Sequence, residues 1–182
     1  MSSPRRIPYG RLVLFALGAL GAIFVINRLG ARGSASAANS VPADQRSAAP
    51  AFSVTTLDGT PWSLESQCGK VVLVNFFATW CPPCRAEMPD LVKIAQDYRP
   101  KGVETIGLSL DEGGADVVQP FLKRYRVDFP VGLPEPGSAI TAGITGIPVT
   151  LILDKSGRVA RHYVGMISEE QVRGDLDALL AE

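Results

Sequence analysis

The sequence predicts an α/β fold in which a central mixed β-sheet is flanked by helices. Three runs rich in β-branched and apolar residues, at 71–77, 103–109 and 149–153, have the composition of buried strands. Two stretches, 85–98 and 115–125, repeat apolar residues at helical spacing. The predicted order, a β-hairpin, then β-α-β-α, then β-β-α, indicates one sheet covered by helices.

Composition narrows the classes of function. The 182 residues, 46% of them hydrophobic, leave room for one domain of ordinary size. The formal net charge is zero, so no basic field indicates a nucleic-acid partner. Three cysteines and one histidine are too few for a disulfide-stapled scaffold.

The first 29 residues are predicted to contain a transmembrane helix. The apolar run from Leu12 to Ile26 would span roughly 22 Å as a helix, less than the ~30 Å hydrocarbon core. With snorkelling arginines, residues 7–29 reach roughly 34 Å and can cross the membrane. A weak excess of arginine before the run predicts a single pass through the inner (cytoplasmic) membrane, with the folded domain on the extracytoplasmic (periplasmic) side.

A cleaved signal peptide is the main alternative to this anchor. Ala35-Ser36-Ala37 resembles a cleavage site, although it lies well beyond the apolar run with two arginines between. Residues 30–50 are rich in Ala, Ser and Gly, which predicts a flexible linker. The folded domain is therefore expected to span residues 51–182.

Alternation, turn residues and caps predict the remaining elements of the domain. An N-terminal β-hairpin is predicted over residues 52–64, around the turn Asp58-Gly59. The elements that follow the second helix are a short strand at 129–131, strands at 149–153 and 158–164, and a final helix with Ser168 as its N-cap. Asp111 and Glu112 are interpreted as part of a solvated loop rather than a metal-binding loop.

The motif Trp80-Cys81-Pro82-Pro83-Cys84 lies where a buried strand ends and a helix begins. Two cysteines at this spacing can close a disulfide or remain a dithiol. A thiolate at a helix N-terminus is stabilised by the dipole and by free N–H groups, which lowers its pKa from about 8.5 toward 7 or below. Because the two prolines have no N–H, the Cys84 N–H is the nearest donor. We expect Cys81 to be an ionised, solvent-open nucleophile of moderate pKa, and Cys84 to resolve the mixed disulfide.

Residues 74–89, Val-Asn-Phe-Phe-Ala-Thr-Trp-Cys-Pro-Pro-Cys-Arg-Ala-Glu-Met-Pro, resemble the active site of TlpA/ResA-like (DsbE-related) thiol–disulfide oxidoreductases. The similarity runs from about Ala51 to the C-terminus. It implies a thioredoxin-like fold, a redox-active Cys81–Cys84 pair and no cofactor. It also implies a disulfide-containing extracytoplasmic protein as substrate, in cytochrome c maturation or copper-site assembly, and a transmembrane thiol reductase as electron donor.

Glu87 is the predicted proton acceptor. In thioredoxins proper, the position of Asn75 carries a buried Asp that exchanges protons with the second cysteine, and Asn cannot titrate. Glu87 lies three residues after Cys84 on the same helix face, and partial burial near a thiol should raise its pKa. ResA-like proteins carry a functional Glu at this spacing, which agrees with the prediction.

Three residues are predicted to bind the substrate. A proline that enters a buried strand, as Pro148 does, is unusual because it lacks a ladder donor. The resemblance implies a cis-proline that faces the two cysteines, with backbone groups of Ile147 pairing with a substrate strand. Trp80 is expected to pack beside the disulfide and shape the docking surface; plain core packing is its alternative.

Two other functions remain as alternatives. Cys68, Cys81, Cys84 and His162 could form a Cys₃His metal-binding or metallochaperone-like site, although Cys68 is interpreted as an incidental free thiol. A peroxiredoxin-type peroxidase needs Thr or Ser three residues before its reactive cysteine and Pro seven before. Ala78 and Val74 occupy these positions, so the sequence favours the oxidoreductase.

Overall fold

The computed structural model describes residues 41–182 of the chain. Its strands are β1 (Ser53–Thr55), β2 (Pro61–Ser63), β3 (Val71–Phe77), β4 (Val103–Ser109), β5 (Val131–Gly132), β6 (Val149–Leu153) and β7 (Val159–Val164). Its α-helices are α1 (Pro82–Tyr98), α2 (Gly114–Tyr125) and α3 (Glu169–Leu180).

The predicted membrane anchor, residues 7–29, lies outside the described residues, as does the predicted linker up to residue 40. Within residues 41–182, none of the helices has the length and apolar character that a membrane crossing requires.

The main sheet has five strands in the order β5-β4-β3-β6-β7. Strand β3 is central and pairs parallel with β4 and antiparallel with β6, while β4 and β5 are parallel and β6 and β7 antiparallel. The predicted mixed sheet is therefore confirmed. Strands β1 and β2 form a separate antiparallel hairpin, as the turn at Asp58-Gly59 indicated.

The two faces of β3 belong to different cores. Val71, Leu73 and Phe77 pack with buried residues of all three helices. Val72, Val74 and Phe76 pack with the hairpin and with Ile140. The expectation that helices flank the sheet needs a correction, because α1, α2 and α3 share one core. The crossovers β3–α1–β4 and β4–α2–β5 advance in the same direction, and right-handed connections place both helices on one face.

Residues 41–50 do not form the free linker that their composition predicted. Val41 N and Ala49 N donate to carbonyls of the segment before and within β7, and Ala48 forms an antiparallel bridge with Arg158. The Arg46 guanidinium contacts Asp154 and Glu182. Backbone pairing and a buried cation fix this segment, and neither is visible in an Ala- and Ser-rich composition.

Two element boundaries differ from the predictions by two or more residues. Helix α1 begins at Pro82 rather than at residue 85, because Cys81 is its N-cap and prolines fit a first turn. Strand β5 covers Val131–Gly132 rather than 129–131. Pro130 has no N–H for a ladder, so only its carbonyl contributes, accepting from Gly107 N.

Candidate active site

The two cysteines of the motif meet at the carboxyl end of β3. They form a disulfide. The Cys84 N–H donates to Cys81 Sγ at 3.2 Å, and it is the donor expected there because the two prolines have no N–H. In this oxidised state Cys81 is only 2% exposed and Cys84 is fully buried. The expectation of a solvent-open Cys81 is therefore wrong for the disulfide form, because the surrounding loops cover the sulfur.

The loop before β6 lies against this disulfide. The Ile147–Pro148 peptide bond is cis, as predicted, and Cys81 Sγ lies 3.8 Å from the Ile147 carbonyl oxygen. Gly165 N donates to the Pro148 carbonyl at 2.8 Å, which fixes the loop to the end of β7. The residues predicted to bind substrate backbone are thus beside the reactive sulfur.

Trp80 is at the surface beside the disulfide. Its side chain is 66% exposed, so the core-packing alternative is wrong. It lines a 460 Å³ cavity with the segment 110–113 and with Val117, another exposed apolar residue. Its role in substrate docking stays a prediction.

Glu87 lies in the interior, on the face of α1 that also carries Cys84. It is 3% exposed, and its Oε2 accepts from Ile167 N at 3.2 Å. Burial raises the pKa of Glu87 above its ordinary value, and the hydrogen bonds from Ile167 and Asn75 offset only part of that rise. The predicted direction of the pKa shift is confirmed.

Asn75 and Thr150 complete this buried polar group. They are cross-strand partners in the β3–β6 register, and Asn75 Nδ2 donates to both Thr150 Oγ1 and Glu87 Oε1, each at 3.0 Å. No sequence pattern assigned a role to Thr150. An amide within an otherwise apolar buried strand was the signal that a polar partner lies nearby.

Asp111 is a further residue whose role the sequence reasoning missed. Its carboxylate accepts from Thr79 N at 2.9 Å, from Thr79 Oγ1 at 2.7 Å and from Ser109 Oγ at 2.8 Å. The interpretation as a solvated loop is therefore wrong for Asp111, although Glu112 is exposed. Asp111 lies two residues after the end of β4, the strand next to β3, and from there it holds the turn that presents Trp80 and Cys81.

The alternative metal set is not assembled. Cys68 precedes β3 and Cys81 follows it, and seven strand residues separate the two ends by about 20 Å. His162 is exposed on β7. Among residues 41–182, no three His, Cys, Asp or Glu side chains lie together in a way that could hold a metal ion.

Comparison with known proteins identifies the family. A model of the AhpC/TSA family matches residues 46–175. The thiol-disulfide oxidoreductase ResA of Bacillus thuringiensis subsp. konkukian (strain 97-27) is 40% identical over 126 residues, which is 68% of this chain and 72% of that protein. The chain belongs to the AhpC/TSA family, as a ResA-type thiol–disulfide oxidoreductase. The thioredoxin-like protein YneN of Bacillus subtilis (strain 168) is 35% identical over 130 residues, 71% of this chain and 76% of YneN.

A solved structure supports the same assignment. A thioredoxin-family thiol:disulfide interchange protein from Chlorobium tepidum TLS is 36% identical with a TM-score of 0.67, covering 74% of this chain and 97% of that chain. The thioredoxin-like fold is therefore confirmed. In this ResA-type protein, Cys81 and Cys84 are the redox-active pair that exchanges electrons with a disulfide-containing partner.

Proposed function

We propose that this protein is a membrane-anchored oxidoreductase that reduces disulfides of extracytoplasmic proteins, apo-cytochrome c or a copper-site protein. The observation that carries the proposal is the Cys81–Cys84 disulfide at the N-terminus of α1, beside cis-Pro148. A reactive sulfur beside a backbone segment that pairs with a substrate strand can hold that strand while exchange occurs.

The reaction runs through a mixed disulfide. The Cys81 thiolate attacks one sulfur of the substrate disulfide, and the other substrate sulfur leaves as a thiolate. Glu87 takes the proton of Cys84, and the Cys84 thiolate attacks Cys81 and releases the second substrate sulfur. The substrate has gained two electrons, and Cys81–Cys84 is a disulfide again. A transmembrane thiol reductase then returns two electrons and two protons to the pair.

The motif supports the reducing direction. Pro82 and Pro83 occupy the first turn of α1 and carry no N–H, so Cys84 N supplies the hydrogen bond to Cys81 Sγ. A thiolate with few donors keeps a moderate pKa, and its dithiol is less stabilised relative to the disulfide. Such a pair gives electrons readily, and outside the cytoplasm it must be recharged.

The first described residues lie far from the reactive sulfur. Val41 and Arg46 contact Ala160 and Asp154, at the end of the sheet where β6 finishes. Because β6 is antiparallel to β3, this end is opposite to Cys81.

Trapping of the substrate tests the proposal. The full chain with Cys84→Ser, in a Cys68→Ser background that removes the exposed free thiol, should accumulate as mixed disulfides in the cell-envelope membrane fraction. Reductant should release the partner, and Cys81→Ser in the same background should trap none. If Cys84→Ser traps no partner, or if the chain appears in the cytoplasmic fraction, the proposal is overturned.

A further inference from the structure

One buried amide contacts the carboxyl group of Glu87. Asn75 is 1% exposed, and its Nδ2 donates to Glu87 Oε1 and to Thr150 Oγ1, both at 3.0 Å. Ile167 N donates to the other carboxyl oxygen at 3.2 Å. Asn75 Oδ1 is also buried, and it has no hydrogen-bond partner within residues 41–182.

These contacts suit only one protonation state of Glu87. Both carboxyl oxygens face N–H donors, which matches a carboxylate because an ionised carboxyl group is an acceptor only. A protonated Glu87 carries an O–H that needs an acceptor, and the Asn75 N–H cannot accept it. The observed contact therefore favours the carboxylate.

We propose that Asn75 is a positioning residue for the ionised form of Glu87. Its N–H group holds the carboxylate before proton transfer. Thr150 Oγ1 accepts from the same Nδ2 and keeps the amide in the orientation that presents this donor.

This inference rests on the proposed role of Glu87 as the acceptor of the Cys84 proton. In that step the S–H bond of Cys84 breaks, an O–H bond forms on Glu87, and the Cys84 thiolate attacks Cys81. The Asn75 N–H favours the ionised carboxylate, which is the form that can take this proton.

Asn75 is the main side chain that can lower the pKa of Glu87. On α1, Asp90 raises the Glu87 pKa by charge repulsion, and Cys84 lies one turn earlier. On strand β6, Thr150 contacts Asn75 rather than Glu87. The segment after β7 contributes the Ile167 N–H to Glu87. Among the described side chains, Asn75 is the one that donates to the carboxylate.

Two pH titrations of the full chain test the proposal. The first follows the Glu87 carboxyl carbon by NMR in the oxidised protein, and the second follows the rate at which the dithiol reduces a model disulfide. In Asn75→Leu, the Glu87 midpoint and the acid limb of the rate profile should both rise by about one pH unit, because the carboxylate loses a donor. Midpoints that stay at the wild-type value overturn the proposal.

A matched pair of threonine variants keeps the test independent of how well Asn75→Leu folds. Thr150→Val removes the second partner of Asn75 and should raise the Glu87 midpoint, while Thr105→Val should leave it unchanged. Thr105 is likewise buried, on β4, and its hydroxyl has no partner in the described part of the chain. Identical Glu87 titrations in the two variants contradict the proposal.

A double variant separates this inference from the proposed function. If Asn75 acts through Glu87, adding Asn75→Leu to Glu87→Gln should leave the pH profile of Glu87→Gln unchanged. If Glu87→Gln alone has no effect on rate, the proposed role of Glu87 fails. If Glu87→Gln slows the reaction but Asn75→Leu does not move the profile, only the role of Asn75 fails.

The contact between Asn75 and Glu87 has its own signature. In oxidised wild-type protein, the side-chain N–H₂ signals of Asn75 should shift with the same midpoint as the Glu87 carboxyl carbon. Signals that stay constant through that titration overturn the proposal.

Discussion

Glu87 is the residue whose chemistry depends most on where the chain places it. It lies one turn after Cys84, and it is buried with two N–H donors on its carboxyl oxygens. Burial raises its pKa more than these donors lower it, which moves the pKa toward that of a thiol and makes proton exchange with Cys84 easier.

Glu87→Gln is expected to slow disulfide reduction by about 10²-fold, since a positioned base typically contributes 10²–10⁴. The wild-type rate should rise with pH as Glu87 ionises, and the variant should lack this limb. Stopped-flow reduction of a model disulfide measures both, with exposed Glu170→Gln as the control. An unchanged rate and pH profile would remove the role of Glu87.

The same substitution should stabilise the fold at neutral pH. Because the folded pKa of Glu87 is raised, the unfolded chain ionises first as pH rises above the ordinary value of 4.5. The free energy of unfolding of the wild-type protein therefore falls as pH rises from that value to the raised pKa. That of Glu87→Gln does not fall in this range. Urea denaturation of the oxidised proteins at several pH values should show the two curves diverge as pH increases. Parallel curves would contradict this prediction.

Asp111 acts on the active site through Thr79. Asp111→Ala leaves Thr79 N and two hydroxyl groups without their acceptor, which should cost about 1–3 kcal/mol and loosen the turn before Cys81. Chemical denaturation and hydrogen exchange at the Thr79 amide measure these effects. The neighbouring Glu112→Ala, at an exposed position, should change neither. Equal effects of the two substitutions would refute the positioning role.

At the scale of elements, a buried ion pair fixes α3 against β7. Arg161 Nε lies 2.9 Å from Asp175 Oδ1, with both side chains at most 5% exposed. Within residues 41–182 the Nε–H does not have the geometry of a hydrogen bond. The Tyr163 hydroxyl also donates to Asp175, and burial together with this carboxylate raises the pKa of Tyr163. Ile167, which donates to Glu87, lies in the short connection between these two elements.

Asp175→Asn should therefore lower the free energy of unfolding by about 3–5 kcal/mol, because it leaves a buried guanidinium without its counter-charge. Glu104→Gln is the control, since it breaks the more exposed pair with Lys70 and should cost about 0–1 kcal/mol. Urea titrations of both variants compare the costs. A similar cost for the two substitutions would mean that α3 is held by apolar packing alone.

At the scale of the whole molecule, Arg46 joins the two ends of the domain. Its guanidinium donates to the Val41 carbonyl and to the carboxylates of Asp154 and Glu182. Burial raises the pKa of Asp154, but hydrogen bonds from the backbone and side chain of Arg158 and from the side chain of Arg46 outweigh it, so the net pKa is lowered. The Arg46 hydrogen bond lowers the pKa of Glu182.

Arg46→Ala should destabilise the domain and make its free energy of unfolding depend less on pH in the acid range. Lowered folded pKa values mean that stability is present above the ordinary values of 3.8 for Asp154 and 4.5 for Glu182, and is lost as pH falls through the folded values. Without Arg46 this loss should be smaller, and residues 41–50 should exchange amide hydrogens faster. Urea and hydrogen-exchange measurements between pH 2 and 7 test this. If stability falls at low pH as much in Arg46→Ala as in the wild-type protein, the prediction is contradicted.

The sequence alone determined the strands and the redox pair. Residues 71–77, 103–109 and 149–153 are strands at the predicted bounds, because buried strands need apolar runs that local composition already shows. Cys81 is the N-cap of α1 and Cys84 lies three residues later in its first turn, so their spacing specified their contact. The cis peptide before Pro148 came from the family resemblance, since composition alone gives it a low prior.

Only the tertiary structure decided the partners that are distant along the chain. The contacts of Asn75 with Thr150, of Glu87 with Ile167 and of Arg46 with Glu182 join residues from different elements, so no local pattern encodes them. The same holds for the placement of all three helices on one face and for the docking of residues 41–50. These features depend on crossover handedness and strand register, which a sequence specifies only through the packed fold.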